Sequence, residues 1–116
     1  MKIYIGHSSN FDYQNELYLP LKNSNLWQKH TFILPHQLST EPFHSKSTIK
    51  NCDLFLAEVS FPSTGLGIEL GWASHFDVPI LGVYKKDSKP SSSLKLICKD
   101  LIEYLDEKDL INKLEL

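Results

Sequence analysis

Residues 52–72, CDLFLAEVSFPSTGLGIELGW, constrain the fold more than any other stretch of this chain. The run 53–59 is β-prone and apolar on both faces except at its ends, the mark of a central parallel strand covered by helices on both sides. Residues 60–65, SFPSTG, form turns. A helical pattern then runs from Gly65 to Phe76, with Leu66, Leu70 and Ala73 along one face and a single carboxylate, Glu69. Strand, small-residue loop and helix together allow backbone N–H groups and the positive end of a helix to face an anion. Glu69 is therefore the candidate reactive residue.

The rest of the chain alternates in the same way. A strand is expected at 2–5, stopped by Gly6 and followed by a small polar loop, 6–10. Asp12 can cap a helix over 13–22, with Tyr13, Leu17 and Leu21 on one face; Pro20 predicts a kink or an early end. Residues 23–25 are a turn cluster, 31–34 a second strand, 35–46 a long loop and 45–51 a short helix. After the central unit come a strand at 79–84, a loop, a helix from Ser91 or Ser92 to about Lys99, a strand at 101–104 and a helix at 106–114 capped by Asp106. Trp27 is placed beneath the second strand, and Trp72 and Phe76 in the core or an interface. This order predicts one α/β domain over residues 1–116: an open, doubly wound, mainly parallel five-stranded sheet with helices on both faces, flavodoxin- or Rossmann-like. Ligands of such sheets bind beyond the carboxyl ends of the strands. The loops 6–10 and 60–67 both fall at that edge and are expected to be neighbours, which makes Gly6, His7 and Ser8 candidate binding residues.

Composition narrows the partners. A net charge of −2 gives no reason to expect nucleic acid. All 12 basic residues are lysine, which removes the bidentate arginine clamp on phosphate. A bound phosphate would have to rely on backbone amides, hydroxyls and lysine. Cys52 and Cys98 read as reduced core thiols with no zinc or redox spacing. His36 and His44 share a loop, but no third ligand is spaced with them, so no metal or other cofactor is expected. The chain enters a strand at once and has no run of about 18 apolar residues. A cytoplasmic protein with no membrane partner is the expectation.

The segments DLFLAEV (53–59) and PSTGLGIELG (62–71) resemble the signature of the nucleoside 2-deoxyribosyltransferase family, nearest its branch of 2′-deoxynucleoside 5′-phosphate N-hydrolases. The family pattern is roughly A-D-hydrophobics-A-E-V, then P-S-x-G-x-G-x-E-x-G, with Cys52 in the place of the first alanine. The resemblance implies cleavage or transfer at the N-glycosidic bond of a 2′-deoxynucleoside or its 5′-monophosphate, through a covalent deoxyribosyl-enzyme. It makes Glu69 the nucleophile and Ser63 a holder of the 5′ end. Gly65 and Gly67 let backbone approach the ligand, and Ser93 matches a serine supplied by a neighbouring subunit. Family members are homodimers or larger. One position departs from the pattern. The family's second acid, eight residues before the strand's leading aspartate, falls at Ser45. Protonation of the leaving base would need a substitute such as Glu41, His44, His7 or Asp12. The N-terminal loop also lacks the arginine and glycine pair of the hydrolase branch. Glu58 could be a second site carboxylate or a structural, hydrogen-bonded one, and Asp53 reads as a connector. Two alternatives stay open: a non-catalytic nucleotide-binding sensor or scaffold, and an N-glycohydrolase of another nucleotide such as NAD.

Overall fold

A computed structural model of the chain describes residues 1–38 and 45–116. Five strands form one fully parallel sheet: β1 (Lys2–His7), β2 (Thr31–Ile33), β3 (Leu54–Glu58), β4 (Ile80–Lys85) and β5 (Asp100–Tyr104). Their order is β2-β1-β3-β4-β5, with the switch point between β1 and β3. The expected doubly wound α/β class is the one observed. Every residue of β3 is buried, as its two-sided apolar sequence requires.

The two sheet faces carry separate cores. Ile3, Ile5, Leu54, Leu56 and Val83 pack with Tyr13, Leu17, Tyr18, Leu21, Leu26 and Leu110 on one face. Tyr4, Phe55, Ala57 and Ile80 pack with Ile49, Leu66, Leu70 and Ala73 on the other. The period-two alternation of β1 sends Tyr4 and Ile5 to opposite cores.

The helices differ from the sequence expectation in instructive places. The first helical segment does not stop at Pro20. A π-helical turn, Gln14–Tyr18, leads into α1, Leu19–Lys22, and the Leu19 N–H reaches back five residues to the Gln14 carbonyl. The wide turn loosens the backbone before Pro20, which then sits in the first turn of α1, where a proline is tolerated. A short helix α2, Leu26–Lys29, follows. It stacks Trp27 on Phe32 of β2 with ring centroids 5.6 Å apart, the placement expected for this tryptophan. Helix α3 is Lys46–Lys50 and α4 is Thr64–His75. The last turn of α4 closes on Asp77, whose φ of 58° takes the left-handed position usually given to glycine. The Val78 N–H bonds back to the Ala73 carbonyl, and Pro79 prevents continuation. The helix expected from Ser91 or Ser92 is only a 3₁₀ turn, Ser92–Leu96. The final helix α5, Glu107–Lys113, is capped by Asp106 through the Asp109 N–H. Strand β1 extends through Gly6 to His7, two residues beyond its expected end. Gly6 is required there by packing: a Cβ would lie 2.3 Å from the Phe55 ring.

Candidate active site

The loops after β1 and β3 meet as expected. Phe11 and Phe61 stack at 5.4 Å, and the Lys85 ammonium lies 5.0 Å and 5.6 Å from their ring centres while pairing with Glu16. Beside this clamp, at the carboxyl edge of the sheet, opens a cavity of about 410 Å³. His7, Ser9, His36 and Ser45 line one part of its wall, and Ser63, Gly65, Leu66, Ile68, Glu69 and Trp72 line the rest.

The α4 side follows from sequence. Ser63 caps the helix, its Oγ accepting from the Leu66 N–H at 3.4 Å, so its hydroxyl proton stays available. Gly65 stands in the first turn with no side chain over the backbone; a Cβ there would meet nothing closer than Ser63 Oγ, at 4.0 Å. Glu69 lies one turn further on and is half-buried. Helix-end effects fall off within the first turn. The contact that holds Glu69 comes instead from the sheet: the Tyr4 hydroxyl donates to Glu69 Oε2. Burial first, then the charge and hydrogen bond of Glu69, push the Tyr4 phenol far above its ordinary range, and a bond from Ser45 pulls the other way. The proton therefore stays on Tyr4, and the tyrosine acts as a fixed donor to one carboxylate oxygen.

The β1 side carries a relay. The His7 Nδ1–H donates to the Ser8 carbonyl at 2.7 Å, and His7 Nε2 accepts from the Tyr18 hydroxyl at 2.6 Å. Tyr18 oxygen in turn accepts from the His36 backbone N–H at 3.2 Å. Burial pushes His7 down to about 4, so the ring is neutral at physiological pH. The Gln14 side chain holds the His36 carbonyl at 2.9 Å. Against this bracing, the buried Nδ1 of His36 has no hydrogen-bond partner among the described residues.

The residues singled out in the sequence are distributed around this geometry. Glu69, His7, Ser63 and Gly65 line one cavity. Gly67 and Ser93 line an adjoining one of about 280 Å³, which shares Ser63 and Leu66 with the first. Gly6 packs on Phe55 behind the site, and Ser8 is buried and accepts from the Asn10 N–H at 3.0 Å. Ser45, which the sequence resemblance aligns with a second acid, is buried in the cavity wall. Of the substitutes, Asp12 bonds Asn15 at the surface, while Glu41 and His44 lie outside the described residues. Glu58 is structural: it accepts from the Ser60 N–H, the Ser60 hydroxyl and the Tyr104 hydroxyl in full burial. Asp53 accepts from the Lys2 N–H at 2.8 Å, the connector role expected of it.

Sequence reasoning missed Tyr4, Trp72 and the cavity role of His36. Trp72 was within reach, since it stands three residues from Glu69 on one helix face. Tyr4 carries no local signal, because it meets Glu69 only through the pairing of β1 with β3. Among the described residues no group of three His, Cys, Asp or Glu is placed to hold a metal ion, and no helix is long and apolar enough to cross a membrane.

Two solved structures share this architecture end to end. The CMP N-glycosidase BcmB of Clostridium botulinum matches with a TM-score of 0.70 at 24% identity, over 100% of both chains. A conserved protein from Enterococcus faecalis V583 matches with a TM-score of 0.64 at 16% identity, over 97% of this chain and 96% of the other. No family model and no curated protein matches the chain. The two likenesses establish the fold.

Proposed function

We propose that the chain cleaves the N-glycosidic bond of a 2′-deoxynucleoside or its 5′-monophosphate, with Glu69 as nucleophile. The observation that carries this reading is Glu69 itself. It is the one carboxylate among the described lining residues of a nucleotide-sized cavity, steadied through one oxygen by the buried Tyr4 hydroxyl. Ser63 and the open backbone at Gly65 offer donors to a 5′-phosphate at the start of α4, in keeping with the lack of arginine. The similar fold of an enzyme acting on CMP supports N-glycosidic chemistry and puts ribose on the test panel beside deoxyribose.

In the first step the free oxygen of Glu69 bonds to C1′ as the C1′–N bond breaks, and the electron pair leaves with the base. In the second, water attacks C1′, and the ester bond to Glu69 breaks to restore the carboxylate. A second nucleobase in place of water gives transfer. Ser93 and Gly67, in the adjoining cavity, would serve the site of a second copy in a homodimer or larger assembly.

The test is a panel of ribo- and deoxyribonucleosides and their 5′-monophosphates, NAD included, assayed for free base. A 2-deoxy-2-fluoro analogue, which slows the second step, is expected to add the mass of its sugar to the peptide that contains Glu69. Thermal stabilisation by a nucleotide without base release or adduct would establish the non-catalytic sensor or scaffold instead. That alternative draws on the serine at position 45, which leaves Glu69 as the single carboxylate among the described lining residues.

A further inference from the structure

The leaving base must gain a proton, and the carboxylate the family uses for a second role is a serine here. We propose that His36 supplies that proton from its imidazole, which makes it the catalytic acid of the reaction proposed above; the inference rests on that reading.

Five observations converge on this residue. His36 lines the same cavity as Glu69. Its ring is partly exposed, and among the described residues its buried Nδ1 has no hydrogen-bond partner, so that nitrogen is not committed to holding the fold. The backbone around it is fixed on both sides, by Tyr18 at the N–H and Gln14 at the carbonyl. The other imidazole in the wall is spent: both nitrogens of His7 are bonded, and its ring is neutral. The two rings meet edge to face at 5.6 Å, so a neutral His7 places no repelling charge beside a protonated His36. His36 also reaches the cavity from the end of β2, whereas Glu69 and the 5′-phosphate donors come from α4. A nucleotide with its phosphate at Ser63 and C1′ at Glu69 has its base left for the β2 side.

The step balances. His36 enters as the imidazolium. One ring N–H proton passes to the base as the C1′–N electron pair arrives there, and neutral His36 remains. The water of the second step gives one proton back to the imidazole, its hydroxyl stays on C1′, and Glu69 leaves as the carboxylate. Net consumption is one water per base released.

The experiment compares leaving groups that need a proton with leaving groups that do not. Neutral purine and pyrimidine nucleotides need one. Nicotinamide mononucleotide and N7-methylguanosine 5′-monophosphate, with their 2′-deoxy counterparts, carry the positive charge already and depart without it. His36→Asn keeps a hydrogen-bonding group of similar reach and His36→Ala removes it. Both are expected to lose about 100-fold or more in kcat/KM on neutral bases and less than about 5-fold on charged ones. Free imidazole is expected to restore part of the turnover of His36→Ala on neutral bases. Equal losses on both substrate sets, or a loss below about 10-fold on neutral bases in variants that melt like the wild type, would overturn the assignment. So would a failure of imidazole to rescue. A wild type that releases no base from any substrate would instead overturn the glycosidic reading, and the role of His36 with it.

Discussion

Glu58 and Glu69 stand eleven residues apart on the same strand–loop–helix unit, and each receives a tyrosine hydroxyl from a distant strand. Tyr104 of β5 serves Glu58, and Tyr4 of β1 serves Glu69. What separates them is saturation and access. Glu58 takes three donors, is 1% exposed and lines no described cavity near the site. Glu69 is half-buried, has one described donor and faces the cavity. The same pair of groups is thus a structural joint in one place and a poised nucleophile in the other. A buried carboxylate with donors on both oxygens can only hold, and one with an oxygen free can react.

Substitution is the sharpest way to break this contrast. Glu69→Gln is expected to reduce base release by roughly 1,000-fold or more while the urea midpoint moves little, because the amide oxygen still accepts from Tyr4. Glu58→Ala is expected to do the reverse. It strands three donors, costs about 3 kcal/mol in urea unfolding, and leaves the folded fraction within a few-fold of wild-type turnover. The tyrosines extend the test at smaller amplitude. Tyr4→Phe lets the nucleophile drift and is expected to lower kcat on the order of 100-fold with little change in KM. Tyr104→Phe is expected to cost about 1–2 kcal/mol of stability and no catalysis.

A last predicted effect concerns His7, the braced neighbour of the site. Its folded ring titrates near 4 and the unfolded ring near 6.5, so the unfolded chain takes up the proton first as pH falls. Stability is unaffected above that window. It is expected to decline from pH 6.5 towards pH 4 by up to about 3 kcal/mol, the equivalent of the shift. Urea titrations across this range check it, and His7→Gln is expected to flatten the dependence.

The sheet was legible because burial on two faces leaves an unmistakable apolar run, and Leu66, Leu70 and Ala73 marked the buried stripe of α4 at helical spacing. The contrast between the two glutamates was not. Their deciding partners lie 46 and 65 residues away in sequence, and no local pattern around either glutamate encodes a partner on another strand. The early end that Pro20 allowed for does not occur, for a related reason. A proline argues against regular α-helix, but the chain accommodates it by widening the preceding turn, and Leu17, Tyr18 and Leu21 still reach the core. His36 looked like half of a metal pair. Only the hydrogen bonds that occupy both ring nitrogens of His7, with no partner for His36 Nδ1 among the described residues, distinguish the two imidazoles.

Strand β1 lies between β2 and β3 although it is first in the chain. Its pairing with β3 joins Ile3 to Leu54 and His7 to Glu58, across about fifty residues, and the sheet contains no hairpin. Loop closure over that span has to precede any reward from the pairing, so folding is governed by non-local contacts and is slow for a chain of this size. On a ribosome the edge of the first strand that faces β3 waits, unpaired, until the third has emerged. Tyr4 and Glu69 cannot meet before then, and an immature chain holds no assembled site with which to attack a nucleotide.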